Sequence, residues 1–317
     1  MIKITESIMK KIAEYENGNY KVILFSDGTK IRYNDGDPFK AAFPENIDLK
    51  VTNWCDIGCP FCHEKSSIDG KIANFRKYER FFNSLKPGTE LAMGGGKISS
   101  LLSPSLGNAS LMLSLSTLKH RSIIVNMTFN QQELIDQYVY ENIITYVNLS
   151  IINGIGVSYF NSKKGKEKLL DLRNRVGSRL VVHTIAGIST PDDYNWLAEN
   201  GFKILILGYK NFGRGITYKS PEVDKKIKWV RDNIDFLAEN CETVSFDCLA
   251  TSQLKLKEYL SKEDWEKYYM GDDGTATMYV DLVEGKYGVN STTPYDKRLD
   301  IPESQDVVEM FKNVCNK

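Results

Sequence analysis

Three cysteines, Cys55, Cys59 and Cys62, sit on one short segment with the spacing C-x3-C-x2-C. The segment follows a strand-like stretch at residues 47–52, which puts the thiols on a loop at a strand's end. Three thiolates so spaced can hold three irons of a [4Fe–4S] cluster. An electron-transfer ferredoxin closes its cluster with a fourth cysteine; a cluster held by three leaves one iron open to another ligand. The blander reading is structural zinc or a set of buried thiols. Structural zinc takes four ligands in tetrahedral array. His63 could complete such a set, but adjacent residues such as Cys62 and His63 chelate one ion poorly. Among the six cysteines, Cys241, Cys248 and Cys315 have spacings that match no tight cluster loop, so one cluster is expected.

Such a loop needs a scaffold. From about residue 46, short apolar runs alternate with helical stretches. Strands are expected at 47–52, 90–93, 121–127, 145–151, 179–186, 203–208 and 243–247. Helices are expected at 75–85, 105–117, 131–144, 166–176, 192–200 and 222–240. The strands show little polar alternation, which suits a parallel sheet covered by helices. The fold class is α/β, a partial (β/α)6 TIM-type barrel with N-terminal and C-terminal hairpin and helix extensions. Such folds place their sites at the C-terminal ends of strands, where the cysteine loop falls. Residues 1–44 read as an extension with a helix at about 5–15 and a hairpin at 20–25 and 30–33. Residues 45–250 form the barrel. Residues 251–317 form a cap with a helix at 255–269, a hairpin at 277–282 and 286–289, and a last helix at 305–315.

A length of 317 residues suits a single barrel with such additions. Hydrophobic and charged contents of 42% and 26% are those of an ordinary globular protein. A formal net charge of zero gives no signal for general nucleic-acid binding. No apolar run approaches the roughly 20 residues of a membrane span, and the first residues do not read as a signal peptide. The cysteine usage is no disulfide framework. A cytoplasmic location is expected.

The cysteine triad, with Phe61 just before its last member, resembles the signature of the radical SAM superfamily, as does its place after the first strand of a β/α series. The resemblance spans about residues 47–250. It implies an enzyme whose three cysteines bind a [4Fe–4S] cluster and whose open iron chelates S-adenosyl-L-methionine. Reductive cleavage then yields methionine and a 5′-deoxyadenosyl radical that abstracts hydrogen from a substrate. It further implies cofactor contacts from Phe61, from Gly94, Gly95 and Gly96 after the second strand, and from Ser150 or Asn126. Ile185, Gly187 and Tyr209 follow on the fifth and sixth strands. Lys97 stands where the family usually has an acid that contacts the cofactor's amino group. The cysteine-rich C-terminal extension of many peptide-modifying relatives is absent.

Substrate contacts are less legible. His183 lies on a strand that should line the barrel. Lys210 and Arg214, between glycines past a strand end, suit an anionic group. Asp247 suits a base or an orienting group. Cys248, after the last barrel-like strand, suits the lone hydrogen-donating thiol of some radical SAM epimerases, although a small buried residue is the plain reading. The favoured substrate is a peptide or natural product, modified or epimerised, since exposed hairpin edges can pair with an extended peptide. The alternatives are a nucleotide or small metabolite, a non-catalytic metal-binding module, and a relative that binds the cofactor without cleaving it. A reductant such as flavodoxin is the family's expected electron donor.

Overall fold

Backbone pairing sorts the chain into two sheets. The computed structural model describes residues 10–25, 28–102, 109–269 and 271–315. A small antiparallel sheet is formed by β1 (Lys11–Asn17), β2 (Tyr20–Phe25) and β3 (Lys30–Tyr33), in that order. The large sheet comprises β4 (Asn46–Thr52), β5 (Glu90–Gly95), β6 (Ile124–Asn130), β7 (Gly154–Ser158), β8 (Leu180–Ile185), β9 (Lys203–Leu207), β10 (Thr243–Phe246), β11 (Thr277–Asp281), β12 (Lys286–Gly288) and β13 (Leu299–Asp300). Its order is β10-β9-β8-β7-β6-β5-β4-β11-β12-β13. Every pairing from β10 through to β11 is parallel, and β12 and β13 add an antiparallel edge.

Alternate residues of a strand face opposite sides. On one side Leu49, Met93, Met127, Val157, Val182 and Ile204 are buried under the crossover helices. The other side carries Asp48, Ala92, Asn126, Gly154 and Gly156, in register from strand to strand, with Val181 and His183 beyond. This face is concave. Four strands separate β4 from β9, about 24 Å in a flat sheet. Yet the Arg214 amide, past β9, donates to the Cys62 carbonyl, past β4, at 3.0 Å. Only a curled sheet brings those loops together, and the curl makes the partial barrel.

Several elements differ from the sequence reading. Residues 11–15, expected as the end of a helix, belong to β1, because pairing with β2 satisfies their backbone; residues 5–9 lie outside the described residues. The strand expected at 145–151 is instead the end of a helix, Gln137–Asn148, and its following turn. Tyr140, Ile143, Ile144 and Val147 complete one buried helical stripe there. The true strand is β7, disguised by Gly154 and Gly156, since glycine is uncommon in strands. The strand at 121–127 starts three residues later, after a turn in which Ser122 has φ +58°. The helix at 222–240 breaks into Pro221–Asp232 and Ile234–Asn240. In the tail, β11 pairs parallel with β4, so the expected cap supplies a strand of the main sheet.

The small sheet docks on the end of the barrel opposite the cysteine loop. Glu45, just before β4, is 1% exposed. It accepts hydrogen bonds from Tyr20 Oη at 2.6 Å and from Arg32 Nε and Nη2 at 2.9 and 2.7 Å. Lys30 bridges to Glu90, at the start of β5, at 3.2 Å. Burial pushes the Glu45 carboxyl up, but its hydrogen bond and charge pairing with Arg32, aided by Lys30 and Tyr20, hold it below the usual carboxylate range. Removing one partner of a buried pair leaves an uncompensated charge. Glu45→Ala should therefore lower unfolding free energy by about 3–5 kcal/mol in urea titrations at pH 7. Because the folded carboxyl titrates low, its contribution is present above the unfolded value and is lost as pH falls through the folded one. The gap between wild type and variant should accordingly narrow on acidification.

Candidate active site

The cysteine loop leaves β4 and is tied down at each turn. The Trp54 amide donates to Thr52 Oγ1 at 3.0 Å, and the Cys55 amide to the Ser67 carbonyl at 2.8 Å. The Cys62 amide donates to the Cys59 carbonyl at 3.2 Å, closing the second half of the motif into a turn. All three thiols are half-buried. Burial pushes the Cys55 and Cys59 thiols up, and mutual repulsion among the three adds to it. The amides of Ile57 and Gly58 act the other way on Cys55, and the Arg214 charge does so on Cys59. The chain therefore offers a set of three thiols with amide and guanidinium support for negative charge on sulfur, which fits a thiolate-held cluster. His63 turns away from them, with Nε2 3.5 Å from Lys210 Nζ and from Glu64 Oε1. Among the described residues no three Cys, His, Asp or Glu side chains gather as a single-ion site.

Two glycine segments brace this loop. The Gly96 amide donates to the Thr52 carbonyl at 2.7 Å, and a Cβ on Gly95 would lie 2.1 Å from that same carbonyl oxygen. A Cβ on Gly96 would lie 2.2 Å from the Trp54 carbonyl oxygen. Gly94 differs: a Cβ there would meet nothing within 4 Å, so its missing side chain leaves open space on the concave face. That space beside the thiols is what a cofactor seated on this glycine run would need. The second brace comes from the loop after β9. Arg214 Nε donates to the Cys59 carbonyl at 2.9 Å and Nη1 to the Ser66 carbonyl at 3.1 Å. Gly213, at φ +57°, passes so close that a Cβ would lie 2.2 Å from the His63 carbonyl oxygen.

Other residues singled out from sequence fall into distinct places. Phe61 is half-buried, edge-on to Tyr218 with centroids 5.7 Å apart. Ile185 and His183 face the concavity from β8. Asn126 does so too, but from the middle of β6 rather than its end. Ser150 is exposed in the turn after helix Gln137–Asn148, ahead of β7 and so at the strand end opposite the cysteine loop, not at the strand end expected of a ribose contact. Gly187 is required by packing: a Cβ would lie 2.8 Å from Val223 Cγ1. Tyr209 is buried and holds its own loop, donating from Oη to the Gly215 carbonyl at 2.6 Å. Asp247 caps helix Cys248–Gln253, its Oδ1 accepting from the amides of Ala250 at 2.7 Å and Gly208 at 2.9 Å. Arg214 is likewise committed to the cysteine loop rather than free for a substrate anion. Lys210 donates to Ser291 Oγ at 2.9 Å. Lys97 forms an ion pair with Asp56 of the cysteine loop at 2.9 Å. Cys248 Sγ lies 3.9 Å from the Gly271 carbonyl oxygen, and burial with nearby Asp273 pushes its thiol up to about 12.

Solved structures share this fold. SuiB from Streptococcus suis, bound to precursor peptide SuiA, matches 86% of this chain with a TM-score of 0.59 at 14% identity. Native anSMEcpe with bound AdoMet and Cp18Cys peptide matches 84% of this chain and 80% of its own length, with a TM-score of 0.54 at 13% identity. The chain shares the fold of these two proteins. The chain spans 65% of SuiB, just under two thirds of that protein. No family model and no curated protein sequence matches the chain.

Within this fold, three features escaped the sequence reading. Glu133, 3% exposed, accepts the Ser99 amide at 2.8 Å and the Asn130 amide at 2.7 Å. It thereby ties the loops after β5 and β6 together behind the glycine run. A cavity of about 360 Å³ lies between the cysteine loop, the loop after β9 and the tail, with Lys50, Glu64, Phe212, Asp281 and Arg298 in its wall. Asp48 faces the concavity from β4. The alternation Ile47-Asp48-Leu49-Lys50-Val51 was the available signal, since charge inside a covered strand marks a face that is not packed. Two substitutions test the bracing. Arg214→Lys loses the guanidinium fork and should lower iron and sulfide retained after reconstitution. Gly213→Ala should cost about 1–3 kcal/mol of stability, read as a lower thermal midpoint, from left-handed backbone and close approach together.

Proposed function

We propose that this chain is a radical SAM enzyme that acts on a peptide. The observation that carries the proposal is the C-x3-C-x2-C loop at the C-terminal end of the first barrel strand, braced by glycine on two sides and facing open space at Gly94. Cys55, Cys59 and Cys62 would hold a [4Fe–4S] cluster, and the Gly94–Gly96 backbone would receive S-adenosylmethionine. When bound, this pair supplies one-electron chemistry and abstraction of hydrogen from carbon. The protein's part is to position the thiols, to line the concavity with small or neutral side chains, and to keep bulk water from the reacting centre. SuiB and anSMEcpe have been solved with peptides bound. Among the described residues β1 and β3 are the edges of the small sheet, where an extended peptide could add as a strand away from the cysteine loop. Modification and epimerisation both remain within this reading.

Reconstituted wild-type protein given S-adenosylmethionine and dithionite should form 5′-deoxyadenosine, detected by mass spectrometry. The variant Cys55→Ala/Cys59→Ala/Cys62→Ala should form none. A wild-type protein with full iron and sulfide that binds the cofactor but yields no 5′-deoxyadenosine, with peptide present, would count against turnover. It would favour the binding-only reading that the Lys97–Asp56 pair keeps in play. Cys248 keeps its proton at neutral pH, which a hydrogen donor requires. If the reaction is an epimerisation, product formed in deuterium oxide should carry one deuterium at the inverted carbon. Cys248→Ala should abolish that label.

A further inference from the structure

Among the described residues, one carboxyl group on the concave face has no structural employment. Asp247 caps a helix, and Asp273 accepts from Asn290 Nδ2 at 2.8 Å. Asp281 accepts the Val283 and Glu284 amides, each at 3.0 Å. Asp48 makes no hydrogen bond or ion pair among the described residues. Its side chain is open to water-sized space, yet protein surrounds it closely enough to push its carboxyl up to about 6. Asp48 is thus exposed within the concavity of the sheet rather than packed under the helices.

The surroundings give that concavity a character. Asp48 sits in register with Ala92 on one side and Tyr279 on the other. Four strands away around the curl, His183 faces inward, its ring laid over Gly156, where a Cβ would lie 2.5 Å from Cε1. Burial lowers His183 to about 4, so it is neutral at pH 7. Between these two walls stand small residues, Ala92, Gly94 and Gly154. Among the charges near Asp48, the Lys210 ammonium opposes the upward push that burial and the carboxyls of Asp273 and Asp247 exert on it. Lys210 donates to Ser291 and forms no ion pair with Asp48, so the Asp48 carboxylate has no bonded cation among the described residues.

We propose that Asp48 selects the substrate, its carboxylate receiving an ammonium or guanidinium group on a side chain that enters the concavity opposite His183. The proposal rests on the peptide-acting reading above and narrows it to a peptide with a basic residue at the reacting position. Charge-assisted hydrogen bonds are the stronger kind, and leaving such a group unpaired in an enclosed site is unfavourable.

Equilibrium dialysis of the reconstituted full-length protein with S-adenosylmethionine and no reductant tests binding apart from turnover. The probes are blocked pentapeptides Gly-Gly-Lys-Gly-Gly and Gly-Gly-Nle-Gly-Gly, with norleucine as the uncharged match. Wild type should retain the lysine peptide about tenfold over its match. Asp48→Asn should erase the preference and Asp48→Glu should keep part of it, with circular dichroism confirming that both fold. Lys210→Gln, which removes the opposing cation, should raise the preference; a gain cannot come from misfolding. Equal retention of both peptides by wild type, or an undiminished preference in folded Asp48→Asn, overturns the assignment. A lysine preference without 5′-deoxyadenosine formation would support Asp48 and sink the enzymatic reading. The reverse pattern would sink Asp48 alone.

Discussion

The contact between the loops after β4 and β9 organises the rest of the molecule. One guanidinium and one amide of Arg214 engage three carbonyl groups of the cysteine segment, at Cys59, Cys62 and Ser66. These loops belong to strands far apart in sheet order, so the contact fixes the curvature as well as the loop. Glycine is what permits it. Gly213 accepts positive φ and gives the backbone room beside His63. Gly95 and Gly96 play the matching part from β5, where any side chain would strike the Thr52 and Trp54 carbonyl oxygens. Much of the glycine content that reads from sequence as cofactor contact is thus first a matter of backbone packing against backbone.

A buried set of charges carries the same logic into the tail. Lys50 on β4 meets Glu64 at 2.7 Å and Asp281 on β11 at 3.1 Å. Arg298, from the far side, reaches Asp281 at 3.6 Å. Lys50 and Asp281 are direct register partners across the parallel pair. A one-residue slip would turn Asp281 to the helix-covered face and strand it without a cation. Net stabilisation from such pairs is modest, but the cost of misalignment is large, so they specify where the tail joins. Glu64 directly follows His63, which ties this register to the cysteine loop as well.

How much of this could be read in advance depends on what each residue had to satisfy. The thiol motif and most barrel strands were legible because apolar runs between helices have few other uses. The stretch 145–151 misled because helical and strand patterns both fit a short apolar run, and Tyr140 through Val147 settled it as a helix. β1 was lost to a helical spacing that carried no tertiary information. The partnership of β11 with β4 lies about 230 residues apart in the chain and is set by register and charge, which no local pattern carries. At the site, Arg214 and Asp247 had the right chemistry for ligands but are occupied by carbonyls and amides. Asp48 was visible as a charge out of place but not as part of the concavity, because the curl that encloses it is a property of the whole sheet.

The bracing of the cysteine loop has a consequence for the life of the protein outside the reaction. The loop's turns are closed by amides and carbonyls of the chain itself, with Ser67, Thr52 and Arg214 as anchors. Its shape therefore does not wait for iron. A zinc finger collapses when stripped of metal because metal binding is its folding energy. Here the anchors are side chains and backbone of the chain itself. A loop anchored in this way should keep its turns with the thiols empty, a receptacle rather than a product of what it holds.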